Sequence, residues 1–504
     1  MMKLKLCLWT ILILLIFTSA DLQAKKKKRQ YFNQIKFEVD FRITHPIYVK
    51  NFIDGSNKEI LIFGVNEKKE KIAALYVFNN EKSNYVLNSK HLIPSNTAAF
   101  DFITNAKGLV NLLLLESKEL SLLNLEQQNI IPLMAAESIY LKDNPQFLAK
   151  KQLVKDLNND GLDDIVIPSF SNTSFFLQQT DGEFVKNLLP IKPRIDMNNR
   201  EISFSESQFF HQDINFDQRV DLLLVDENKI IIYEQLETGG FSTISNELLL
   251  PMQVSGVPWW FIRTEDGEQI DQSQLKHRMI EDLVDINGDN IIDLMVRQTE
   301  SSGVLDKSIR YDIYFGSNQD GILNFNAKAD TQIVADGTLA NLQLLDMNGD
   351  GKKEVLVSSF DIGVTQIIGA LLSGSIDQDV FVFSLNQDNR YDKKPLFSEE
   401  VDLTFSLSSG STGQPALLSA DLNGDGAKEL ILSASDKRLA IYIGAANKKL
   451  FDSRPKRQRI TLPQNGAMIS AVDLNGDKKE EIIVRYGKQD EESLRREIIV
   501  LSTK

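Results

Sequence analysis

Short apolar runs separated by turn residues dominate the chain. After Asp421 the text reads "ELILSAS", "LAIYIGA" and "QRITLP", three strands with turn residues between them. Helical periodicity is scarce. Only "GVTQIIGALLSGS" at 363–375 sets Val364, Ile367, Ile368, Leu371 and Leu372 on one face, which predicts a packed surface helix within an insertion. Near the N-terminus Phe37, Val39, Phe41 and Ile43 alternate with Glu38, Asp40 and Arg42, the pattern of a half-buried outer strand.

The strongest signal is a repeated grammar in front of these runs. "DLNNDGLDDIVI" starts at Asp156, "DINFDQRVDLLL" at Asp213, "DINGDNIIDLMV" at Asp285, "DMNGDGKKEVLV" at Asp346, "DLNGDGAKELIL" at Asp421 and "DLNGDKKEEIIV" at Asp473. Positions one, three and five are Asp, Asn and Asp; position two is a large apolar residue, position nine is Asp or Glu, and ten to twelve are apolar. Ordinary surface turns use Asn, Asp and Gly for their backbone conformations, but they require neither the acid at nine nor the apolar residue at two. The minimal unit is a little over fifty residues, the length of a four-stranded propeller blade. "NFIDGSNKEILIFG" from Asn51 and "FDFITNAKGLVNLLLL" from Phe100 stand where two further units should begin, with strands kept and ligands lost. Counting both gives eight blades, and seven if one is not a blade. A closed ring is expected, because an open array leaves apolar end faces uncovered. The last unit runs out one or two strands short, and "FEVDFRI" at 37–43 is the segment expected to complete it.

Alternate side chains of a tight loop converge, so carboxylates at one and five and an amide oxygen at three can face one cation, with position nine closing the cage. Oxygen donors without His or Cys disfavour zinc and favour calcium or magnesium; the number of oxygens and the loop's flexibility favour calcium. Asp156, Asn158, Asp160 and Asp164 with Gly161 make a full set. So do Asp346, Asn348, Asp350 and Glu354 with Gly351, and Asp421, Asn423, Asp425 and Glu429 with Gly426. Asp285, Asn287, Asp289 and Asp293 keep every ligand but carry Asn290 in place of glycine, and asparagine tolerates the left-handed region. Asp213, Asn215, Asp217 and Asp221, and Asp473, Asn475, Asp477 and Glu481, carry Gln218 and Lys478 there. Both bear a conformational penalty, which makes these two loops weak sites or metal-free turns.

This grammar resembles the calcium loops of FG-GAP repeats in integrin alpha-subunit propellers and of bacterial VCBS or FG-GAP repeat proteins, well over 150–504 and weakly over 35–150. The resemblance implies a loop joining the two inner strands of a blade, structural Ca2+ ions, and an extracellular propeller used for adhesion or protein contact. The fold class expected is therefore all-β: a β-propeller of seven or eight four-stranded blades with Ca-binding D-x-N-x-D-G-x-x-D/E loops and an N-terminal strand closing the last blade. Degenerate blades are expected over 35–150, calcium-loop blades over 151–504, and insertions at about 254–276 and 361–377.

Charge and composition add the setting. The formal net charge is −14 and the isoelectric point about 5.0, to which the three loop carboxylates of each copy contribute; nucleic acid is not an expected partner. Residues 1–24 combine Lys3 and Lys5 with an apolar run and small residues, the layout of a signal peptide cut after Ala20 or Ala24. This predicts an exported protein, periplasmic, cell-surface or secreted. "KKKKR" at 25–29 opens a basic tail expected over 25–34; membrane contact is expected only through leader or tail. Cys7, the one cysteine, lies within the leader, so no disulfide is available.

No H-E-x-x-H, G-x-S-x-G or Walker pattern occurs, and His45, His91, His211 and His277 are scattered. The expected function is a non-enzymatic module that binds a protein or glycan; a propeller-based carbohydrate-active enzyme and a purely structural subunit are the alternatives. "VPWWFIRTEDGEQIDQSQL" at 257–275 holds Trp259 and Trp260, which either stack on a ligand or pack the insertion onto the ring.

Overall fold

The apolar run at positions ten to twelve becomes the second strand of a four-stranded antiparallel sheet, and its lack of polar alternation has a direct cause. Such a strand is covered on both sides. Val355 and Val357 enter one apolar cluster while Leu356, between them, enters the next; Ile165 and Ile167 are divided from Val166 in the same way. Each sheet is thus a partition between two cores, and burying one such side chain contributes about 1.5–3 kcal/mol.

The protein is described here from a computed structural model covering residues 31–504 except 54, 56–57, 141–146, 199–200, 302, 304–306, 336, 361–374, 407–410, 413 and 446–448. Eight sheets follow one another: blade 1 (42–92), blade 2 (99–135), blade 3 (154–189), blade 4 (210–249), blade 5 (276–333), blade 6 (338–406), blade 7 (417–459) and blade 8 (469–503 with Phe32–Glu38). Eight apolar clusters lie between them, one at each junction. The junction of blades 8 and 1 has its own cluster, built on Phe37, Val39, Ile60, Ile62, Ile483 and Val500. The ring is therefore a closed β-propeller with eight blades rather than seven.

Closure uses an N-terminal strand, but not over 37–43. Phe32–Glu38 pairs antiparallel with Glu497–Thr503, Phe32 opposite Thr503, so residues 32–34, expected in the basic tail, are part of the ring. Arg42–Ile43 instead pairs with Gly64 and Val65 of blade 1. The alternating burial expected over 37–43 is present, because this stretch crosses from the last blade to the first and the same core lies beneath both.

Up-and-down strands sort the connections onto two faces. The first-to-second and third-to-fourth links of every blade lie on one face, termed here the loop face. Second-to-third turns and crossovers to the next blade lie on the other, the crossover face. All six D-x-N-x-D loops join first and second strands. The long connections at 190–209, with its hairpin of Arg194–Asn198 and Glu201–Ser205, and at 250–275 both belong to the crossover face. The helix expected over 363–375 falls at 361–374, outside the described residues, and Ser375 already begins a strand of blade 6.

Candidate metal centres

The six loops share one backbone path. Position six has positive φ in every copy, at Gly161, Gln218, Asn290, Gly351, Gly426 and Lys478, and so does position four, at Asn159, Phe216, Gly288, Gly349, Gly424 and Gly476. Sequence reading identified only position six. Phe216 at φ 60° carries strain of about 1–2 kcal/mol, so the path is imposed by the loop and not by glycine.

This path turns backbone N–H groups toward the acids. Asp346 accepts from Gly349 at 2.7 Å and Gly351 at 3.0 Å, Asn348 Oδ1 from Asp350 at 2.9 Å, and Asp350 Oδ1 from Lys352 at 2.9 Å. The Asp285, Asp421 and Asp473 loops repeat the set. In the Asp156 and Asp213 loops position five takes the place of position four as donor. The side chains at three and five are neighbours: Asn158 Nδ2 donates to Asp160 at 3.0 Å and Asn287 Nδ2 to Asp289 at 3.0 Å.

Position nine is different in kind. Asp164, Asp221, Asp293, Glu354 and Glu429 are fully buried and Glu481 nearly so. Each accepts the N–H of position two: Leu157 at 2.9 Å, Ile214 at 3.4 Å, Ile286 at 2.8 Å, Met347 at 2.9 Å, Leu422 at 2.6 Å and Leu474 at 2.9 Å. In five copies the second oxygen takes a donor at the end of the third strand, namely Gln178, Gln235, Gly316, Ser384 or Gly444. Gly316 approaches so closely that a Cβ would lie 2.1 Å from the Ile292 carbonyl. Burial raises these acids, Asp164 and Asp221 to about 6 and Asp293, Glu429 and Glu481 to about 7, with the acids at one and five adding to the rise. Burial likewise raises Glu354. The apolar residue at position two enters the inter-blade core: Leu157, Ile214, Ile286, Met347, Leu422 and Leu474 each sit in the cluster between their blade and the next. Positions two and nine are thus one device that pins the loop to the core.

That device shows a residue the sequence reading missed. In the unit from Asn51, Glu59 is buried and accepts from Phe52 at 2.7 Å, the same two-to-nine bond without the loop ligands. Its signal was the Phe52/Glu59 spacing, which does not depend on Asp at one and five. Blade 2 uses another buried acid, Asp101, which accepts from Leu153 and Val154 and pairs with Lys150 at 2.9 Å.

The loops are also laced to one another. Lys58 N–H donates to Leu474 O, Val110 to Asn51, Lys353 to Ile286, Lys428 to Met347 and Glu480 to Asp421. Gln235 bridges Val220 and Asn158. The loop face is a belt in which each loop leans on its neighbour.

The donors left for an ion are all oxygens. Each carboxylate has about four lone-pair sites, and the N–H groups use one or two. Among the described residues no three or more His, Cys, Asp or Glu side chains converge closely enough to hold an ion by themselves, so the Asn amide and backbone carbonyls would complete any shell, as suits Ca2+ more than Zn2+. One loop has a resident cation: Arg219 Nη2 lies 2.5 Å from Asp217, which sets the Asp213 copy apart.

The histidines do not form a constellation. His277 meets Val257 O at 2.9 Å, His91 meets Ser89, and His211 meets Lys155. His45 is buried, stacked on Phe147 at 4.6 Å, and bonded to Thr44 and Leu148 O. Burial lowers its pKa to about 4, with Arg485 assisting. The unfolded chain takes up this proton below pH 6.5 and the folded protein only near pH 4. Stability from this site is therefore complete above pH 6.5 and is lost toward pH 4 at about 1.4 kcal/mol per pH unit. The difference in urea midpoint between wild type and His45→Gln should narrow from pH 7 to pH 5; parallel curves would assign the proton elsewhere.

Trp259 is half-buried and Trp260 is 41% exposed, with the Arg297 guanidinium 5.5 Å from the Trp260 ring. Trp259 has a cation of blade 5 over its ring as well, Lys307 Nζ at 5.5 Å, so both indoles rest against that blade and Trp260 keeps the larger exposure.

Residues 421–484, from the start of one loop to the strand after the next, match the FG-GAP-like repeat family. No curated protein matches the chain. Similar solved structures include an Agrocybe aegerita lectin that recognises non-reducing terminal N-acetylglucosamine (11% identity, 86% of this chain and 90% of that one, TM-score 0.36). A Lactobacillus plantarum protein is also similar (12%, 80% and 97%, 0.36), as is the WD40 domain of SCAP from fission yeast (10%, 86% and 98%, 0.33).

Proposed function

We propose that this eight-bladed β-propeller with FG-GAP repeats is an exported, calcium-stabilised and non-catalytic interaction module, whose crossover face binds a protein or glycan. One observation carries the reading: the crossover face displays a connected strip of exposed apolar side chains. Phe170 meets Phe204 edge-on at 4.9 Å, and Phe204 stands opposite Ile195 in the 194–205 hairpin. Arg194 of that hairpin donates to Gly256 O and lies 5.5 Å from Phe261, next to Trp260. Phe170, Ile195, Phe204 and Trp260 are all exposed. Aromatic surface of this kind costs solubility when it has no partner, and it is the usual seat of binding hot spots. The opposite face is occupied by loops laced to one another, where Asp156, Asp285, Asp346 and Asp421 begin the sets best suited to hold Ca2+. Its ions would secure the belt and leave the crossover face to make contacts.

A glycan array and a capture from the native envelope, each run with wild type and with Trp260→Ala, test the reading. The variant should lose at least about tenfold in affinity for whichever ligand is found. Unchanged binding by Trp260→Ala and Phe204→Ala would remove the crossover face from the function.

A further inference from the structure

We infer that Asn475 is a site of covalent modification: its amide is lost to attack by the following backbone nitrogen, leaving aspartate or isoaspartate in the loop at the closing seam of the ring. The proposal rests on neither the ligand strip nor calcium.

The chemistry is internal to the chain. The Gly476 nitrogen bonds to Asn475 Cγ, its proton passes through water to the departing NH2, and ammonia leaves. Water then opens the five-membered imide at either carbonyl. The step is fastest where glycine follows asparagine, because a Cβ there crowds the closing ring. The chain has five such pairs, beginning at Asn287, Asn348, Asn423, Asn465 and Asn475. Gly466 is buried and its N–H is held by Gln414 O at 2.7 Å, which protects the Asn465 pair. The other four stand at positions three and four of their loops, each within the tripeptide Asn-Gly-Asp. Local sequence therefore does not rank them.

Folding does. In all four the attacking nitrogen donates to the first aspartate, at 2.7 Å or, in the Asp421 loop, 2.6 Å. Each loop must open before the imide can form, so conversion follows the ease of local opening. The Asp473 loop is the least restrained. Lys478 holds φ 70° without being glycine or asparagine, and its bond to Asp473 is 3.2 Å, against 2.8, 3.0 and 2.9 Å for Asn290, Gly351 and Gly426. Glu481 lacks the third-strand donor that the other five position-nine acids have among the described residues. Asn475 is exposed while Asn287 is buried. A Cβ at Gly288 would lie 3.1 Å from the Gly351 carbonyl of the next loop and one at Gly424 3.2 Å from the Lys479 side chain, whereas one at Gly476 meets nothing within 4 Å.

The site stands where the two ends of the ring meet. Lys58 N–H donates to Leu474 O at 3.1 Å and Lys58 Nζ to Asp473 O at 2.8 Å, and Leu474 lies in the cluster between blades 8 and 1. Isoaspartate adds a methylene to the main chain directly after these contacts and shifts the Gly476 N–H that bonds Asp473. Aspartate instead keeps the backbone and adds a third carboxylate to the exposed end of the loop.

The test is peptide mapping by mass spectrometry, which reads the amide-to-acid mass shift after weeks at neutral pH, with chelator present so that no ion bears on the comparison. In the folded protein Asn475 should convert on the order of tenfold faster than Asn287, the factor that one or two weakened bonds set, with Asn348 and Asn423 between them. In urea the four should convert alike. Asn158 and Asn215, followed by Asn159 and Phe216, should stay intact in both samples. Lys478→Gly, which removes the conformational penalty at position six, should slow Asn475 toward Asn348, and Gly476→Asn, the residue the Asp156 loop carries at that place, should stop it. Equal rates at the four pairs in the folded protein, an Asn475 excess that persists in urea, or a rate indifferent to both substitutions overturns the proposal.

Discussion

Asp293→Ala should cost about 3–5 kcal/mol of unfolding free energy in chelator, where no ion is involved, and no less in calcium. The Asp293 carboxylate is buried and takes two backbone donors, Ile286 and Gly316. Truncation leaves both N–H groups without an acceptor, at about 1–3 kcal/mol each. Asp293→Asn is expected to recover little, because an amide offers one acceptor oxygen and turns its NH2 toward the second donor. The contrasting variant is Asp285→Ala. Its acceptors serve Gly288 and Asn290 at the exposed end of the loop, where water replaces a lost partner, so its cost in chelator should be about 1 kcal/mol. In calcium the cost should rise, since a ligand is then lost too. Urea unfolding of both variants in both buffers gives four numbers. If the Asp293→Ala penalty vanishes in chelator, position nine serves the ion alone and the pinning device is wrong.

The same device explains what was legible in the sequence. Positions two, nine and ten to twelve are all set by the core, and the core repeats with each blade, so the propeller could be read from spacing alone. Glu59 was missed because the unit from Asn51 was judged by its ion ligands, while its two-to-nine pair depends on burial and not on charge. Position four was missed because glycine does not mark it in every copy: Asn159 and Phe216 hold the same positive φ, and there the N–H of position five makes the bond to the first aspartate instead.

The closing strand shows a different limit. Alternation correctly gave burial over 37–43, yet burial does not name a partner, and two blades share that core. Registers such as Phe32 opposite Thr503 join residues from the two ends of the chain, and no local pattern records them. Which connection lies on which face is set by the strand order of each blade, which no local pattern records.

Removing calcium should lower the unfolding midpoint on the order of 10 °C at neutral pH. Extracellular calcium sites have dissociation constants of roughly 10⁻⁴ to 10⁻³ M. At millimolar calcium, a site at the tight end of that range is stabilised by about 1.5 kcal/mol through mass action. The loops from Asp156, Asp285, Asp346 and Asp421 together give about 6 kcal/mol, and in a chain of this size each kcal/mol moves the midpoint by roughly 1–2 °C. Magnesium at the same concentration should do much less, because it demands a smaller and more regular shell. The Asp213 loop supplies the internal check. Arg219 already lies against Asp217, so this loop should bind weakly in the wild type, and Arg219→Ala should add one calcium to the stoichiometry found by titration calorimetry. The belt of bonds from Lys353 to Ile286 and from Lys428 to Met347 further predicts that neighbouring sites fill together, so Asp346→Ala should weaken calcium binding at the Asp285 and Asp421 loops. Independent filling would mean that the lacing holds the blades together without passing the ion's effect between them, and a midpoint unmoved by chelator would end the structural role of calcium altogether.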